Sequence, residues 1–470
     1  MWRLIANFLQ LTKYFKKIRV CMESLIGVLQ QIQEIVWGPP TMILLLITGF
    51  YYTLRLGFLQ FIHLPKAIRY IFEKEEGSVG DVSAFASLCT ALAATIGTGS
   101  IVGVATALRV GGPGALFWMW VSAILGMATK YAEGVLAIKY RSIDENGEVA
   151  GGPMYYIEQG MGSKWKWLAK LFAFFGAVTA LMGCGTFPQV NAITESVSNA
   201  FSVPIPLVGA VVTIATAAVV LGGIKSISSV AEFVVPLMAA FYVAASAYVL
   251  FNQSAALPGA FVLVVKSAFE PTAVAGGATG AVIVSVMTAM RTGIARGVYT
   301  NEAGLGSAPI VVAAAKSDSG VRQGLIAMTG VFFTTIVICT MTGLVIITSG
   351  LLEGSTLDGG ILSNAAFNAG MSGDMGMYVV SIGLVFFSFT TIIGWNYYGE
   401  RCVVYLTDGV KYVMSYKILY ILCVAVAPYL SIRPIWYMAD ITNACMAFPN
   451  LIALLVLSPI VIAETKKYFQ

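Results

Sequence analysis

Charged residues are scarce in this chain. Of its 470 residues only 11% are charged, whereas 58% are hydrophobic and the mean hydropathy is +0.83. Soluble domains carry roughly 25% charged residues, so the composition excludes a water-soluble globular protein. It is instead typical of an all-α polytopic membrane protein that crosses the bilayer many times.

Histidine and paired cysteines are also nearly absent, and this bears on enzyme chemistry. His63 is the only histidine, and the seven cysteines form no CxxC pair. An intramembrane protease would need a Ser/His, His/Glu/His or paired-aspartate constellation, for which the chain lacks the residues. We therefore expect no enzymatic activity and no cofactor. The net charge of +5 is explained by basic loops, so no nucleic-acid partner is indicated.

Long apolar stretches dominate what is present. Eleven of them are long enough, or nearly so, to cross a hydrocarbon core about 30 Å thick. The first 34 residues stand apart, because the stretch from Phe8 to Leu29 is either an interfacial amphipathic helix or a further crossing. The predicted spans are 35 to 57, 84 to 108, 114 to 138, 167 to 190, 206 to 222, 230 to 251, 276 to 299, 324 to 349, 377 to 396, 416 to 431 and 441 to 462.

Basic residues are distributed unequally among the loops. If the loop from 58 to 83 is cytoplasmic, most loop lysines and arginines lie on the same side of the membrane, as the positive-inside rule requires. The sequence thus predicts a multi-pass protein of the cell (plasma or inner) membrane with a cytoplasmic carboxyl terminus. Residues 1–34 disagree, because their five basic residues would prefer the cytoplasm.

A short internal repeat indicates how the spans are organised. Thr98 to Thr106 matches Thr292 to Thr300 at five positions. With the extra helix 35–57 set aside, 84–252 and 276–463 form two sets of five spans. An odd number of spans turns the second set upside down, which gives the inverted repeat of secondary transporters.

The glycines in these matched segments have two interpretations. Gly99 and Gly103, like Gly293 and Gly297, form small-xxx-small patterns, and such patterns commonly serve close helix packing. Their corresponding places in the two halves favour interrupted helices around a midplane binding site. The crowding of Gly97 and Thr98 beside the first pattern favours the same interpretation.

Four segments carry a resemblance to a known family. Gly111 to Gly126, Thr129 to Glu133, Gly151 to Tyr156 and Arg296 to Pro309 resemble recurring segments of the alanine/glycine:cation symporter family, of the sodium:alanine symporter type. The resemblance implies a leucine-transporter-type 5+5 inverted repeat with one extra amino-terminal helix. It also implies sodium-coupled import of small neutral amino acids by alternating access, within the lipid bilayer.

The first interrupted helix is the predicted substrate site. Amide hydrogens around Gly97, Thr98 and Gly99 are expected to face the amino acid carboxylate. Carbonyl groups near Thr95 and in a second break, from Met290 to Gly293, are expected to accept from its amino group.

The resemblance adds four polar or aromatic residues to this pocket: Ser100, Thr186, Gln189 and Trp395. Family members more usually have asparagine where Ser100 and Thr186 stand, so serine or glutamine are possible substrates besides alanine and glycine. Gln189 has an alternative role as a bond to a neighbouring helix. Trp395 is interpreted either as an aromatic lid or as an interfacial belt residue.

The coupling ion is expected to be sodium, which requires hard oxygen ligands. The resemblance places it between carbonyls of Ala93 and Ile96 and hydroxyls of Thr390 and Thr391. The alternative is that these hydroxyls only bond to their own helix. Proton coupling is disfavoured, because the span from 84 to 108 contains no acidic residue and no histidine, and proton relays need titratable groups within the membrane.

The last prediction concerns polar and charged residues at the end of the second repeat segment and on the helix predicted at 114–138. Arg296, Asn301 and Glu302 are interpreted as a cytoplasmic gate or as an ordinary loop network. Lys130 and Glu133, three residues apart, are expected to pair on one helix face. The sequence gives no indication of the oligomeric state or of which amino acid is preferred.

Overall fold

The computed structural model describes residues 23–470, apart from 74, 76–77, 277–279, 355 and 431–432. Most of the stretch from Phe8 to Leu29 therefore lies outside the described residues. The described part of the amino-terminal segment is helical, and α1 (23–36) leads directly into α2 (Pro39–Arg55). Together they form one candidate membrane span, Glu23–Arg55.

In the described residues of the first half, the regular secondary structure is helical apart from one short hairpin. Strands β1 (Ser142–Ile143) and β2 (Val149–Ala150) form that antiparallel hairpin. The helices are α3 (Leu59–Ile62), α4 (Leu64–Phe72), α5 (Ala84–Thr95), a π-helical turn (Gly99–Gly103), α6 (Val104–Gly111), α7 (Gly114–Lys139), α8 (Pro153–Met161), a 3-10 turn (Ser163–Trp165), α9 (Lys166–Met182), α10 (Phe187–Phe201), α11 (Ile205–Val220) and α12 (Gly223–Asn252).

The second half repeats this pattern. Among its described residues there is one hairpin, formed by β3 (Thr272–Gly276) and β4 (Gly280–Val284). The helices are a 3-10 turn (Ser254–Ala256), α13 (Leu257–Ser267), α14 (Val286–Asn301), α15 (Ala308–Val312), α16 (Gly320–Val331), a π-helical segment (Phe332–Cys339), α17 (Thr340–Thr348), α18 (Leu351–Gly354), α19 (Gly359–Gly370), α20 (Met375–Leu406), α21 (Val413–Val426), a 3-10 turn (Ala427–Tyr429), α22 (Arg433–Val456) and α23 (Ser458–Phe469).

The prediction of a helical polytopic membrane protein is confirmed. Among the described residues, seven helices are long and apolar enough to cross a membrane, or eight if a bent pair counts as one span. The predicted spans 206–222 and 416–431 correspond to shorter apolar helices, Ile205–Val220 and Val413–Tyr429. The predicted span 167–190 is interrupted between α9 and α10, at residues 183–186.

The predicted span 276–299 was wrong in its first part. Residues that we expected to be helical belong to the β3–β4 hairpin, and α14 begins only at Val286. Glycines at 276 and 280 disfavour a helix, while the β-branched run of β4 favours a strand. Ser285 then starts α14 as its amino-terminal cap, with its Oγ 3.1 Å from the Thr288 nitrogen.

The first predicted helix break is confirmed. Helix α5 starts at a Ser83 cap, whose Oγ accepts from the Ala86 nitrogen at 3.0 Å, and ends at Thr95. The helical axis resumes at Gly99, bent by 55°. We call residues 96–98 the first break. Gly97 lies too close to neighbouring helices for a larger side chain, which explains the residue type at this point.

A second break follows α14, at residues 302–307. Glu302, Gly304 and Gly306 have φ angles of +55°, +86° and +81°. Glycine adopts such left-handed angles without steric cost, whereas other residues do so rarely. The chain becomes helical again only at Ala308, in the short helix α15.

The two helices that lead into the breaks run in opposite directions. At one end of the bundle, which we call the carboxyl-terminal end, the start of α5 pairs with the chain near Ala315, and Lys139 pairs with Glu464 at 2.5 Å. At the opposite end, Gly111 packs against the first turns of α14. This orientation agrees with the inverted repeat expected from the sequence. The exact division into five and five spans stays a prediction.

Helix α7 is the structural centre of the bundle. It is buried along most of its length and packs against both α14 and α16. Its buried positions include the charged residues Lys130 and Glu133, which is unusual for a transmembrane helix and marks the region around the second break.

Candidate functional site

The first break brings one hydroxyl and three carbonyl oxygens together. Thr391 Oγ1 on α20 lies 3.0 Å from the Ala93 carbonyl oxygen and 3.5 Å from that of Ile96, at the end of α5. The same hydroxyl lies 2.9 Å from the Phe387 carbonyl oxygen. Uncharged oxygen atoms in a buried group of this kind suit a hard cation, and neither a thiolate nor an imidazole takes part.

Thr390, the fourth predicted ion ligand, is oriented differently. Its Oγ1 is 3.0 Å from the Phe387 carbonyl oxygen and 3.8 Å from Met238 Sδ on α12. The structure therefore groups Ala93, Ile96 and Thr391 and leaves Thr390 at the edge of the group. The Phe387 carbonyl was missed from the sequence. The available signal was the pair of adjacent threonines, which both bond to the carbonyl three or four residues earlier.

Gln189 reaches the first break directly. Its Oε1 accepts from the Thr98 backbone nitrogen at 3.2 Å, and its Nε2 donates to the Cys184 carbonyl at 3.1 Å. A Cβ atom added to Gly97 would lie 2.6 Å from Thr391 Oγ1 and 3.1 Å from Gln189 Oε1. Gly97 thus separates the Gln189 side chain from the oxygen group around Thr391, with no space for a side chain of its own.

Two of the predicted amide donors are engaged within the protein. The Gly97 nitrogen donates to the Thr95 carbonyl at 3.1 Å, and the Thr98 nitrogen donates to Gln189. Gly99 lies on the other side of the break, where an added Cβ would be 3.1 Å from Tyr299 Cδ1. Sequence reasoning missed Tyr299, although it lies inside the matched repeat segment.

The predicted hydroxyl groups differ in how they are bonded. Thr95 Oγ1 is 2.9 Å from the Ala91 carbonyl, and Thr186 Oγ1 is 2.7 Å from the Leu181 carbonyl, so both bond to their own chain segments. Ser100 is buried, and its carbonyl accepts from Thr342 Oγ1 at 3.0 Å. Within the described residues, the buried Thr98 Oγ1 has no hydrogen-bond partner.

A cavity leads from the first break toward the opposite end of the bundle. Its volume is about 470 Å³, and Thr98 and Gly99 line its inner end. Tyr299 and Arg296 form one wall, and Asp440 on α22 is part of another. The cavity gives a small polar molecule a route to the backbone of the break.

The predicted second break from Met290 to Gly293 was wrong. Both residues lie within the continuous helix α14, so their carbonyls bond within the helix. A Cβ on Gly293 would collide with the Ala115 carbonyl of α7, and one on Gly297 would collide with Ser122 Oγ. In this half of the chain the small-xxx-small pattern therefore serves close helix packing, and the break comes nine residues after Gly293.

The second break is held by charged and polar side chains. Lys130 Nζ donates to the Asn301 carbonyl at 3.0 Å. Glu302 Oε1 accepts from Trp395 Nε1 at 3.1 Å, and its other oxygen accepts from Ser307 Oγ. Trp395 is fully buried, so its interpretation as an interfacial belt residue was wrong. It lies one turn after Thr391 on α20 and thus links the oxygen group to the second break.

Glu133 binds the backbone of the second break. Its Oε1 accepts from the nitrogens of Gly304 and Gly306 at 3.1 and 3.2 Å, and from Asn450 Nδ2 at 2.7 Å. Asn450 also donates to the Gly304 carbonyl at 2.9 Å. The expected pair between Lys130 and Glu133 was wrong in its geometry, because Lys130 binds the Asn301 carbonyl at the end of α14, whereas Glu133 binds the backbone of the break.

The predicted gate residues are separated in the structure. Asn301 and Glu302 are buried at the second break, where Asn301 Nδ2 donates to Thr335 Oγ1 at 3.1 Å. Arg296 lines the cavity instead, with its guanidinium carbon 5.6 Å from the centre of the Tyr299 ring. The three residues therefore do not form a single gate in this structure.

Comparisons with known proteins identify the family of this chain. The chain matches the family described as the sodium:alanine symporter family over residues 22–470. An uncharacterized transporter of Haemophilus influenzae is 52% identical over 444 residues, covering 94% of this chain and 96% of that protein. The sodium/alanine symporter AgcS of Methanococcus maripaludis is 49% identical over 450 residues, covering 94% and 97%. The probable sodium/glutamine symporter GlnT of Bacillus subtilis is 34% identical over 449 residues, covering 95% and 91%. The chain belongs to the sodium:alanine symporter family.

Proposed function

We propose that this chain is a sodium-coupled symporter that imports a small neutral amino acid. Sodium binds among the Ala93, Ile96 and Phe387 carbonyls and the Thr391 hydroxyl. The amino acid binds on the other side of Gly97, against the backbone of residues 97–99. The convergence of four oxygens from α5 and α20 at the first break is the single observation that carries the proposal.

The substrate side of the break suits a zwitterion. Backbone amides at an interrupted helix and the positive end of a half-helix favour a carboxylate. Gln189 occupies the Thr98 amide in this structure, and we propose that the substrate carboxylate takes over that amide when it binds. Tyr299 limits the space beside Gly99, which favours alanine and glycine over larger amino acids. Serine and glutamine are the alternatives to test.

The cavity supports an interpretation of the structure as one stage of alternating access. It reaches the first break from the opposite end, while Lys130, Glu133 and Glu302 close the second break toward the carboxyl-terminal end. The distribution of basic residues favours a cytoplasmic location for the carboxyl-terminal end. On this basis the structure faces outward, and transport requires the second break to rearrange.

Uptake into proteoliposomes tests the proposal. Labelled alanine, glycine, serine and glutamine are offered separately, with an inward sodium gradient, with an equal potassium gradient and with a proton gradient alone. We expect accumulation of alanine or glycine only with sodium. Equal accumulation with potassium or with protons alone would contradict sodium coupling. If none of the four amino acids accumulates, the proposed substrate class is wrong.

A further inference from the structure

A long apolar cavity lies between α5 and α12. Its volume is about 340 Å³, and its lining residues are aliphatic or aromatic apart from Cys89. On α5 it extends from Phe85 to Ile96, which corresponds to about 16 Å of helix at about 1.5 Å per residue. One leaflet contributes about half of a hydrocarbon core that is about 30 Å thick. The cavity therefore has the length and the lining that one acyl chain requires.

A polar cavity adjoins this apolar one at the carboxyl-terminal end of the bundle. Its volume is about 420 Å³, and both cavities are lined by Ile71, Phe72 and Phe85. The polar cavity is also lined by Glu232 of α12 and by Lys316, the residue after Ala315. We call the two cavities together the α5–α12 groove. An apolar interior with a charged mouth is the arrangement that a phospholipid fits.

Helix α12 connects the mouth of the groove with its interior. Glu232, Pro236 and Ala240 are spaced four residues apart, so they lie on one face of the helix. Glu232 lines the mouth, and the other two line the apolar cavity. Glu232 is exposed, as are its neighbours Phe233 and Leu237 at 73% and 56%. A carboxylate on such a lipid-facing surface is costly unless another charge compensates it.

The mouth carries two charges that the protein does not pair. Among the described residues, the side chains of Glu232 and Lys316 make no ion pair and no hydrogen bond. The other two carboxylates at the mouth are engaged. Glu73 pairs with Arg69 at 2.6 Å, and Glu75 accepts from Ser317 Oγ at 2.8 Å. One carboxylate and one ammonium group are thus left, and they complement a headgroup that carries both a cation and an anion.

We propose that the α5–α12 groove binds phosphatidylethanolamine from the surrounding bilayer. The headgroup ammonium donates to Glu232, the phosphate pairs with Lys316, and one acyl chain fills the apolar cavity. Phosphatidylglycerol has a net negative charge and no cation for Glu232, and phosphatidylcholine has a cation but no N–H group to donate. The site goes beyond the proposed transport function, and its test requires no transport.

Native mass spectrometry of the delipidated protein in detergent measures this preference. Phosphatidylethanolamine, phosphatidylglycerol and phosphatidylcholine with identical acyl chains are added at equal concentrations. We expect phosphatidylethanolamine to bind about fivefold more tightly than either of the others, the upper range for one exposed ion pair. Equal affinities for the three lipids would show that any lipid fills the groove and would overturn the proposal.

Two variants separate the headgroup from the acyl chain. Glu232→Gln should lower the affinity for phosphatidylethanolamine to that for phosphatidylcholine. Ala239→Trp places a large side chain in the apolar cavity, which Ala239 lines, and should weaken all three lipids. Glu464→Gln is the matched control, because Glu464 lies at the same end of the bundle but lines neither cavity. Wild-type preference in Glu232→Gln, or wild-type affinities in Ala239→Trp, would contradict the site.

Thermal unfolding gives a second measurement and checks that the variants fold. A lipid that binds only the folded state raises the unfolding temperature. Phosphatidylethanolamine should raise it more than phosphatidylglycerol in wild type and in Glu464→Gln, but not in Glu232→Gln. Lys316→Gln leaves α12 intact and should weaken both of these lipids by a similar factor, because both carry a phosphate. Unchanged binding of both lipids to folded Lys316→Gln would remove the phosphate contact and overturn the proposal.

Discussion

The two breaks in this protein are built in opposite ways. The first break is surrounded by uncharged oxygens and amides, with glycine where neighbouring side chains approach, and a cavity reaches it. The second break is fully buried. Glu302 lies within it, Glu133 on α7 bonds to its backbone, and Lys130 on α7 bonds to Asn301 just before it. Neutral dipoles can exchange their partners for a ligand at little cost, whereas buried charges hold one arrangement until they are compensated differently. The comparison indicates that the first break binds and that the second controls the conformation.

The largest effect is expected from closing the first break. Gly97→Ala introduces a Cβ that would lie 2.6 Å from Thr391 Oγ1, so the variant should insert in the membrane but show no detectable uptake. Gly103→Ala is the matched control, because nothing lies within 4 Å of its added Cβ. Proteoliposome uptake is measured for both. Normal transport by Gly97→Ala would exclude this placement of the site.

A smaller and more selective effect is expected at the oxygen group. Thr391→Val removes a hydroxyl that lies beside three carbonyls, while Thr390→Val removes one that faces Met238. A net hydrogen-bond-sized loss of roughly 0.5 to 1.5 kcal/mol corresponds to about a twofold to twelvefold change. We expect the sodium concentration for half-maximal uptake to rise by about twelvefold in Thr391→Val and by only about twofold in Thr390→Val. Equal shifts would remove the distinction between the two threonines.

The second break should respond through stability rather than through ion affinity. Gly304 has a φ angle of +86°, and an added Cβ would lie 2.6 Å from Leu45 Cδ2. A left-handed conformation costs a non-glycine residue roughly 1 to 2 kcal/mol, so Gly304→Ala should lower the unfolding temperature in detergent. The sodium dependence of its remaining uptake should match wild type. A changed sodium dependence with unchanged stability would contradict the division of roles.

The smallest effect is expected at Thr98. Its buried Oγ1 has no partner among the described residues, and the residue lies beside the cavity, so Thr98→Val should leave the unfolding temperature unchanged. If the hydroxyl contacts substrate, the alanine concentration for half-maximal uptake should rise by about twofold to tenfold, the size of one neutral hydrogen bond. Unaltered uptake kinetics would remove Thr98 from the substrate contacts.

The same comparison explains what the sequence could predict. The first break was found because Gly97 and Gly99 interrupt an apolar run beside hydroxyl residues, a combination with few other uses in a membrane. The second was misplaced because Gly293 and Gly297 repeat the earlier spacing, although here they only permit close packing against α7. Its true position was signalled by Gly304 and Gly306. That signal became clear only when their positive φ angles were known.

Other features depend on contacts that no local pattern encodes. The Phe387 residue has no signature of its own, because every residue carries a carbonyl group, and only the adjacent threonines on the same helix pointed to it. Glu133 was expected to pair with Lys130 from their helical spacing, but the last residue of α14, Asn301, takes the hydrogen bond of Lys130, and the 302–307 loop takes those of Glu133. The β3–β4 hairpin replaced a predicted helix start, because apolar runs of this length do not distinguish strand from helix.

Equilibrium binding to the purified protein tests the central claim most directly. If sodium and amino acid share the first break, sodium should tighten alanine binding, and alanine should tighten sodium binding by the same factor. Both couplings should be lost in Gly97→Ala and kept in Gly103→Ala. Alanine binding that is independent of sodium in the wild type, or coupling that survives in Gly97→Ala, would contradict the account.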